Sequence, residues 1–119
     1  YDVSDLGVDT DAVSVDYPLK AEELAHNMQS DTTSRGILVC GSGIGMCIAA
    51  NRYPFIRAAL VYQPQAAELA RRHNDANVLW LGARMTDFNT AQSLVDTFLT
   101  TPFDGGRHEK RVLELGDLK

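Results

Sequence analysis

The chain has 119 residues, enough for one domain and too few for two separate cores. Its 16 acidic and 11 basic residues leave a net charge of −5, which argues against a general nucleic-acid binder. With 45% apolar and 23% charged residues the composition supports a packed core rather than disorder. No apolar run reaches the roughly 18 residues of a transmembrane helix. No charged-then-apolar leader opens the sequence, so no signal peptide is expected, and the first residue is Tyr1 rather than Met. Two cysteines, Cys40 and Cys47, are too few for a disulfide framework and suit reduced thiols in the cytoplasm.

In chain order, Tyr1–Gly7 reads as a short strand anchored by Val3 and Leu6, and residues 8–16 as a polar loop. Pro18 suits the first turn of a helix in which Leu19, Leu24, Ala25 and Met28 recur at helical spacing to about Gln29. Gly36-Ile37-Leu38-Val39-Cys40 is a continuous apolar run, the signature of a buried parallel strand. It runs into Gly41-Ser42-Gly43-Ile44-Gly45 and then a helix over residues 46–52. Further strands are expected over 56–61 and 77–82. Helices are expected over 64–72, from a cap at Thr86 or Asp87 to Leu99, and over 107–115. The alternation predicts an α/β fold, a three-layer Rossmann-like α/β/α arrangement with a mostly parallel sheet.

Three groups of residues carry the chemistry. In Cys40 to Gly45, glycines at alternate positions allow a tight turn and close ligand approach, with amides available to an anion. A thiol there can act as base or nucleophile. The spacing fits neither a dinucleotide fingerprint nor a phosphate-binding Walker loop. The two readings are an anion- or enolate-binding loop, and a structural turn carrying a buried cysteine. Cys47, inside the following helix, reads as core. His73-Asn74-Asp75, between a helix end and a strand start, offers either a helix C-cap beside Arg71 and Arg72 or an acid/base imidazole. Arg107 and Arg111, four apart on one helix face, suit a phosphate, or else pair with Glu109 or Glu114. His26 reads as a surface histidine. No Cys, His or carboxylate spacing suggests a metal site.

Taken together these segments resemble the sugar-phosphate isomerase family of ribose-5-phosphate isomerase B and the galactose-6-phosphate isomerase subunits. The resemblance rests on Val15-Asp16-Tyr17-Pro18, the run from Arg35 to Met46, Ile48-Ala49-Ala50-Asn51, Ile56-Arg57-Ala58-Ala59-Leu60, Arg72 to Val78 and Gly105-Gly106-Arg107-His108. It implies interconversion of ribose 5-phosphate and ribulose 5-phosphate through a cis-enediolate, in the pentose phosphate pathway, with no metal or organic cofactor. Under it Cys40 is the base between C1 and C2, and His73 is the acid/base that opens the furanose ring. The Gly41, Gly43, Ile44 and Gly45 loop, with Ser42 where threonine is commoner, holds the enediolate oxyanion. Asn74 hydrogen-bonds the sugar, Tyr17 lines the pocket, and Arg84, Arg107 and Arg111 take the phosphate. Met46 stands where some members carry a glutamate base, which indicates the cysteine type.

The resemblance also implies a homodimer or homotetramer with sites between subunits, the cysteine loop from one and the histidine and arginines from the other. Family members open with a strand, a Gly-x-Asp-His-x-Gly motif and a helix. These residues lack that opening, so residues 1–119 are expected to form a single isomerase domain without it. Isomerisation of another sugar phosphate (galactose 6-phosphate, allose 6-phosphate or a tetrose phosphate), or silent sugar-phosphate binding, are the alternatives on the same scaffold.

Overall fold

The computed structural model describes residues 1–7 and 16–118. The polar loop expected over 8–16 therefore lies, apart from Asp16, outside the described residues. The described elements are α1 (Tyr17–Met28), β1 (Gly36–Cys40), α2 (Ile44–Ala50), β2 (Ala58–Leu60), α3 (Pro64–Asn74), β3 (Val78–Gly82), α4 (Phe88–Thr100) and α5 (Arg107–Gly116). No described helix is long and apolar enough to cross a membrane.

The three strands are parallel, in the order β1-β3-β2, with Gly36 opposite Val78, Cys40 opposite Gly82 and Leu60 opposite Trp80. All five residues of β3 are buried, as a continuous Val-Leu-Trp-Leu run demands of a strand covered on both faces. Side-chain alternation splits that run between two cores. Val78 and Trp80 pack with Leu38, Met46, Ile56 and the α1 residues Ala21, Ala25 and Met28. Leu79 and Leu81 pack with Val61, Ala67, Ala70, Leu94 and Phe98 from the α3 and α4 side. The chain crosses the sheet from β1 to β2 through α2 and returns from β2 to β3 through α3. Right-handed crossovers in opposite directions must use opposite faces, and that rule produces the three layers.

The expected first strand does not form. Tyr1–Leu6 is irregular and exposed or nearly so, pairing with no strand among the described residues. An extended segment gains ladder hydrogen bonds only beside a neighbour, and Val3 and Leu6 alone do not supply one. The segment is tied down instead by Lys20 Nζ, which donates to the Leu6 carbonyl at 2.8 Å. Other boundaries shift by a residue or two. The helix after the glycine loop starts at Ile44 rather than residue 46, and β2 shortens to three residues. Of the two cap candidates, Asp87 performs the role, accepting the Thr90 N–H at 2.7 Å.

Candidate active site

Cys40 ends β1 at the carboxyl edge of the parallel sheet, where α/β folds place their ligands. The chain then turns through Gly43 at φ +87°, a left-handed conformation that L side chains rarely adopt. A Cβ there would also lie 2.6 Å from Leu60 Cδ1, so both backbone and packing require glycine. The turn brings the Gly43 N–H onto Cys40 Sγ at 3.0 Å. The Ile44 N–H reaches Ser42 Oγ at 3.4 Å, a weaker contact.

The loop leaving β3 is laced to this turn. The Ala83 N–H donates to the Cys40 carbonyl at 2.7 Å and the Arg84 N–H to the Gly41 carbonyl at 3.0 Å. Gly82 lets the two loops approach, since a Cβ on it would sit 2.7 Å from the Ser42 oxygen. The Arg84 side chain lies along Gly41, with Nε 3.4 Å from the position of an added Cβ, and the Tyr17 ring covers Gly45, with Cζ 2.7 Å from the equivalent point. Tyr62, just beyond β2, donates its hydroxyl to the Ser42 carbonyl at 2.8 Å. Thus Cys40, Ser42, the three glycines, Ile44, Tyr17 and Arg84 form one cluster. Sequence reasoning passed over Tyr62 and Gly82. Their position just past or at the ends of parallel strands was the available signal.

The second cluster lies at the opposite end of the sheet. Helix α3 runs back toward the start of β3 and carries His73 and Asn74 in its last turn, not beyond it as the spacing suggested. Asp75 closes the helix at φ +46°, its N–H bonding the Ala70 and Arg71 carbonyls. Arg71 and Arg72 do more there than complement the helix dipole. Arg71 is 3% exposed and binds the Asp75 carboxylate at 2.8 Å, the Ala76 carbonyl at 2.6 Å and the Thr101 carbonyl at 3.1 Å. Arg72 pairs with Glu68 and with Asp104, each at 3.1 Å.

Helix α5 brings its own residues to this point. The imidazoles of His73 and His108 stack with centroids 4.3 Å apart and planes at 12°. Together with Asn74, Arg111, Val112 and Leu115 they line a cleft of about 350 Å³. Partial desolvation holds the His108 pKa below its usual range, helped by the charges of His73, Arg107 and Arg111 and opposed by Asp104. Among the described residues Glu114 pairs with Lys110 at 3.7 Å, not with either arginine. His108 stands in the Gly105-Gly106-Arg107-His108 run that the resemblance quotes, but sequence reasoning gave it no role.

The two clusters are therefore separated by the length of β1, four steps of about 3.3 Å or roughly 13 Å. Arg84 falls in the cysteine cluster, not with Arg107 and Arg111. The expectation that all three arginines come with the histidine is corrected by the bond from its N–H to Gly41. Cys47 is half-buried against the first core, and burial pushes its thiol pKa up. His26 is exposed, its ring edge-on to Tyr53 at 6.1 Å. Among the described residues no group of three His, Cys, Asp or Glu side chains could hold a metal ion.

Known proteins match the chain over most of its length. The Ribose/Galactose Isomerase family model matches residues 1–115. Ribose-5-phosphate isomerase B of Escherichia coli (strain K12) is 42% identical over 97 residues, covering 82% of this chain and 65% of that protein. The crystal structure of a ribose 5-phosphate isomerase from Thermotoga maritima superposes with a TM-score of 0.92 at 49% identity, covering 97% of this chain and 79% of that one. Ribose-5-phosphate isomerase B from Mycoplasma genitalium, solved with bound ribulose-5-phosphate, gives a TM-score of 0.93 at 38% identity, covering 98% and 78%.

Proposed function

The chain belongs to the ribose/galactose isomerase family, and from that premise we propose that it interconverts ribose 5-phosphate and ribulose 5-phosphate with Cys40 as the base. The observation that carries the reading is the Gly43 N–H aimed at Cys40 Sγ at 3.0 Å. That contact fixes the sulfur at the mouth of the glycine loop, beside the amides that face a developing negative charge. Cys40 takes the proton from C2 of the open aldose, the electrons move into a cis-enediolate, the hydroxyl proton passes from O2 to O1, and the same thiol returns the carbon-bound proton at C1 as the C2 carbonyl forms. The loop from Gly41 to Gly45, Ile44 included, lies beside the oxygens where negative charge develops, with the Ser42 hydroxyl at its rim. Preorganised donors of this kind supply a large share of a barrier reduction.

His73 opens the furanose ring, Asn74 holds a sugar hydroxyl, and Arg107 with Arg111 takes the phosphate. Arg84 brings a further cation from the cysteine side, and Tyr17 walls the pocket. Because the cysteine and histidine clusters lie at opposite ends of one sheet, one complete site draws on two chains. The assembly is a homodimer, or such dimers paired into a tetramer. Free Cys40 and Cys47 suit the reducing cytoplasm, where we place the protein.

Co-expression of Cys40→Ala and His73→Asn chains tests both chemistry and assembly. Each variant alone is inactive on ribose 5-phosphate. Each mixed dimer holds one complete site of two, and random pairing makes half of the dimers mixed, so the co-expressed population recovers about a quarter of wild-type turnover. Absence of recovery from mixed dimers would put both groups on one chain, and turnover by Cys40→Ala alone would remove the cysteine as base.

A further inference from the structure

The His73–His108 stack is more than a consequence of α5 packing on α3. The chain commits a whole turn to it. The Asp104 N–H donates to the Arg72 carbonyl at 3.0 Å, and the Asp104 carboxylate is gripped by Arg72 Nε. Gly105 and Gly106 then adopt φ +67° and +56°, with nothing within 4 Å of an added Cβ, so only the backbone path requires glycine. The His108 N–H returns to the Gly105 carbonyl at 3.0 Å, and the imidazole lands on His73.

We propose that His108 is a positioning residue for ring opening, fixing the plane of the His73 imidazole with a stacked ring. This rests on the assignment of ring opening to His73. A neutral ring over an imidazolium is attractive, whereas two stacked imidazolium ions repel. The groups facing His108 reinforce this. Arg107 and Arg111 on α5 and His73 on α3 oppose a second proton, and only Asp104, already paired with Arg72, favours it. The depressed His108 pKa agrees with that balance. In the step itself His73 gives the proton to the ring oxygen and the bond from that oxygen to C1 breaks. The C1 hydroxyl releases its proton to water as the carbonyl forms, and the pair recovers a proton from water.

Ribulose 5-phosphate supplies the control, because its C5 oxygen carries the phosphate and the ketone cannot close a furanose. Exchange of its C1 hydrogen with solvent needs the base but no ring opening. His108→Ala is expected to slow ribose 5-phosphate conversion by about tenfold to a hundredfold while leaving that exchange at the wild-type rate. His108→Phe, which restores a stacked ring without a titrating group, recovers most of the conversion. Wild-type conversion in His108→Ala, equal loss of conversion and exchange, or no recovery of conversion in His108→Phe would overturn the proposal. His73→Asn separates it from its premise. Full conversion there removes the ring-opening assignment itself, whereas lost conversion there beside full conversion in His108→Ala removes only the role of His108.

Discussion

The Ser42 carbonyl oxygen points at the back of Gly82, 2.7 Å from where a Cβ would be. That oxygen also accepts the Tyr62 hydroxyl, so the loop behind Cys40 is held from β3 and from the end of β2. A backbone oxygen cannot rotate out of the way as a side chain can. Gly82→Ala therefore displaces the loop, with a stability loss of about 1–3 kcal/mol. Urea denaturation measures that loss, and turnover falls further than the stability change alone accounts for. Tyr62→Phe, which removes one hydrogen bond and keeps the ring, gives a smaller change in the same direction.

Replacing Cys40 by Ala removes the proposed base and leaves the rest of the pocket. Turnover drops by at least about 10²–10⁴, hydrogen exchange at C1 and C2 stops, and sugar-phosphate affinity by calorimetry changes little. Alkylation gives the complementary result. Cys47 is half-buried with its thiol pKa raised, so a thiol reagent that inactivates the enzyme modifies Cys40 first, and bound substrate protects.

Acid affects stability in two separate windows. The folded-state pKa of His108 lies below its ordinary 6.5, so the unfolded chain binds that proton more readily. The contribution is complete above 6.5 and is lost as pH falls from there through the folded value. The carboxyls of Asp31 and Asp87 are held below their usual 3.8 by bonds from Thr33 and Thr90, and their contribution is lost only as pH falls below that value. Melting temperature measured from about pH 7.5 down to about pH 5.5 should decline in wild type and decline less in His108→Phe.

Asp87 gives the plainest stability test. Its carboxylate accepts the Thr90 N–H at 2.7 Å at the start of α4. Asp87→Ala removes that cap and lowers stability, with activity unchanged because the Asp87 carboxylate bonds the first turn of α4 and not the residues of either cluster. A loss of turnover in this variant would mean that α4 supports the site.

What the sequence made legible follows from which interactions are local. The strand Val78–Gly82 was readable because an unbroken apolar run has one use in an α/β sheet, and α4 because its cap and helical spacing agree. The glycine loop was readable as a unit because Cys40, Gly41, Gly43 and Gly45 all belong to one turn. Tyr1–Gly7 misled because strand formation depends on a neighbour that spacing does not show. His73 and Asn74 proved to be helical because Asp75 adopts the left-handed cap that spacing would have given to a glycine. Arg84 was assigned to the wrong cluster because separation along the chain does not reveal which end of the sheet a loop leaves. The stack of His108 on His73, 35 positions apart in sequence, depends on a turn whose geometry only the folded chain displays.

At Gly106 the backbone takes φ +56° and ψ −131°, which is the mirror image of a polyproline II step. The hinge that swings α5 over α3 is in effect a residue of inverted handedness, placed in open space where only chirality limits what can stand there. A D-alanine introduced at that position by chemical synthesis would occupy the conformation without strain, and would stiffen the approach to the histidine stack where L-alanine would distort it.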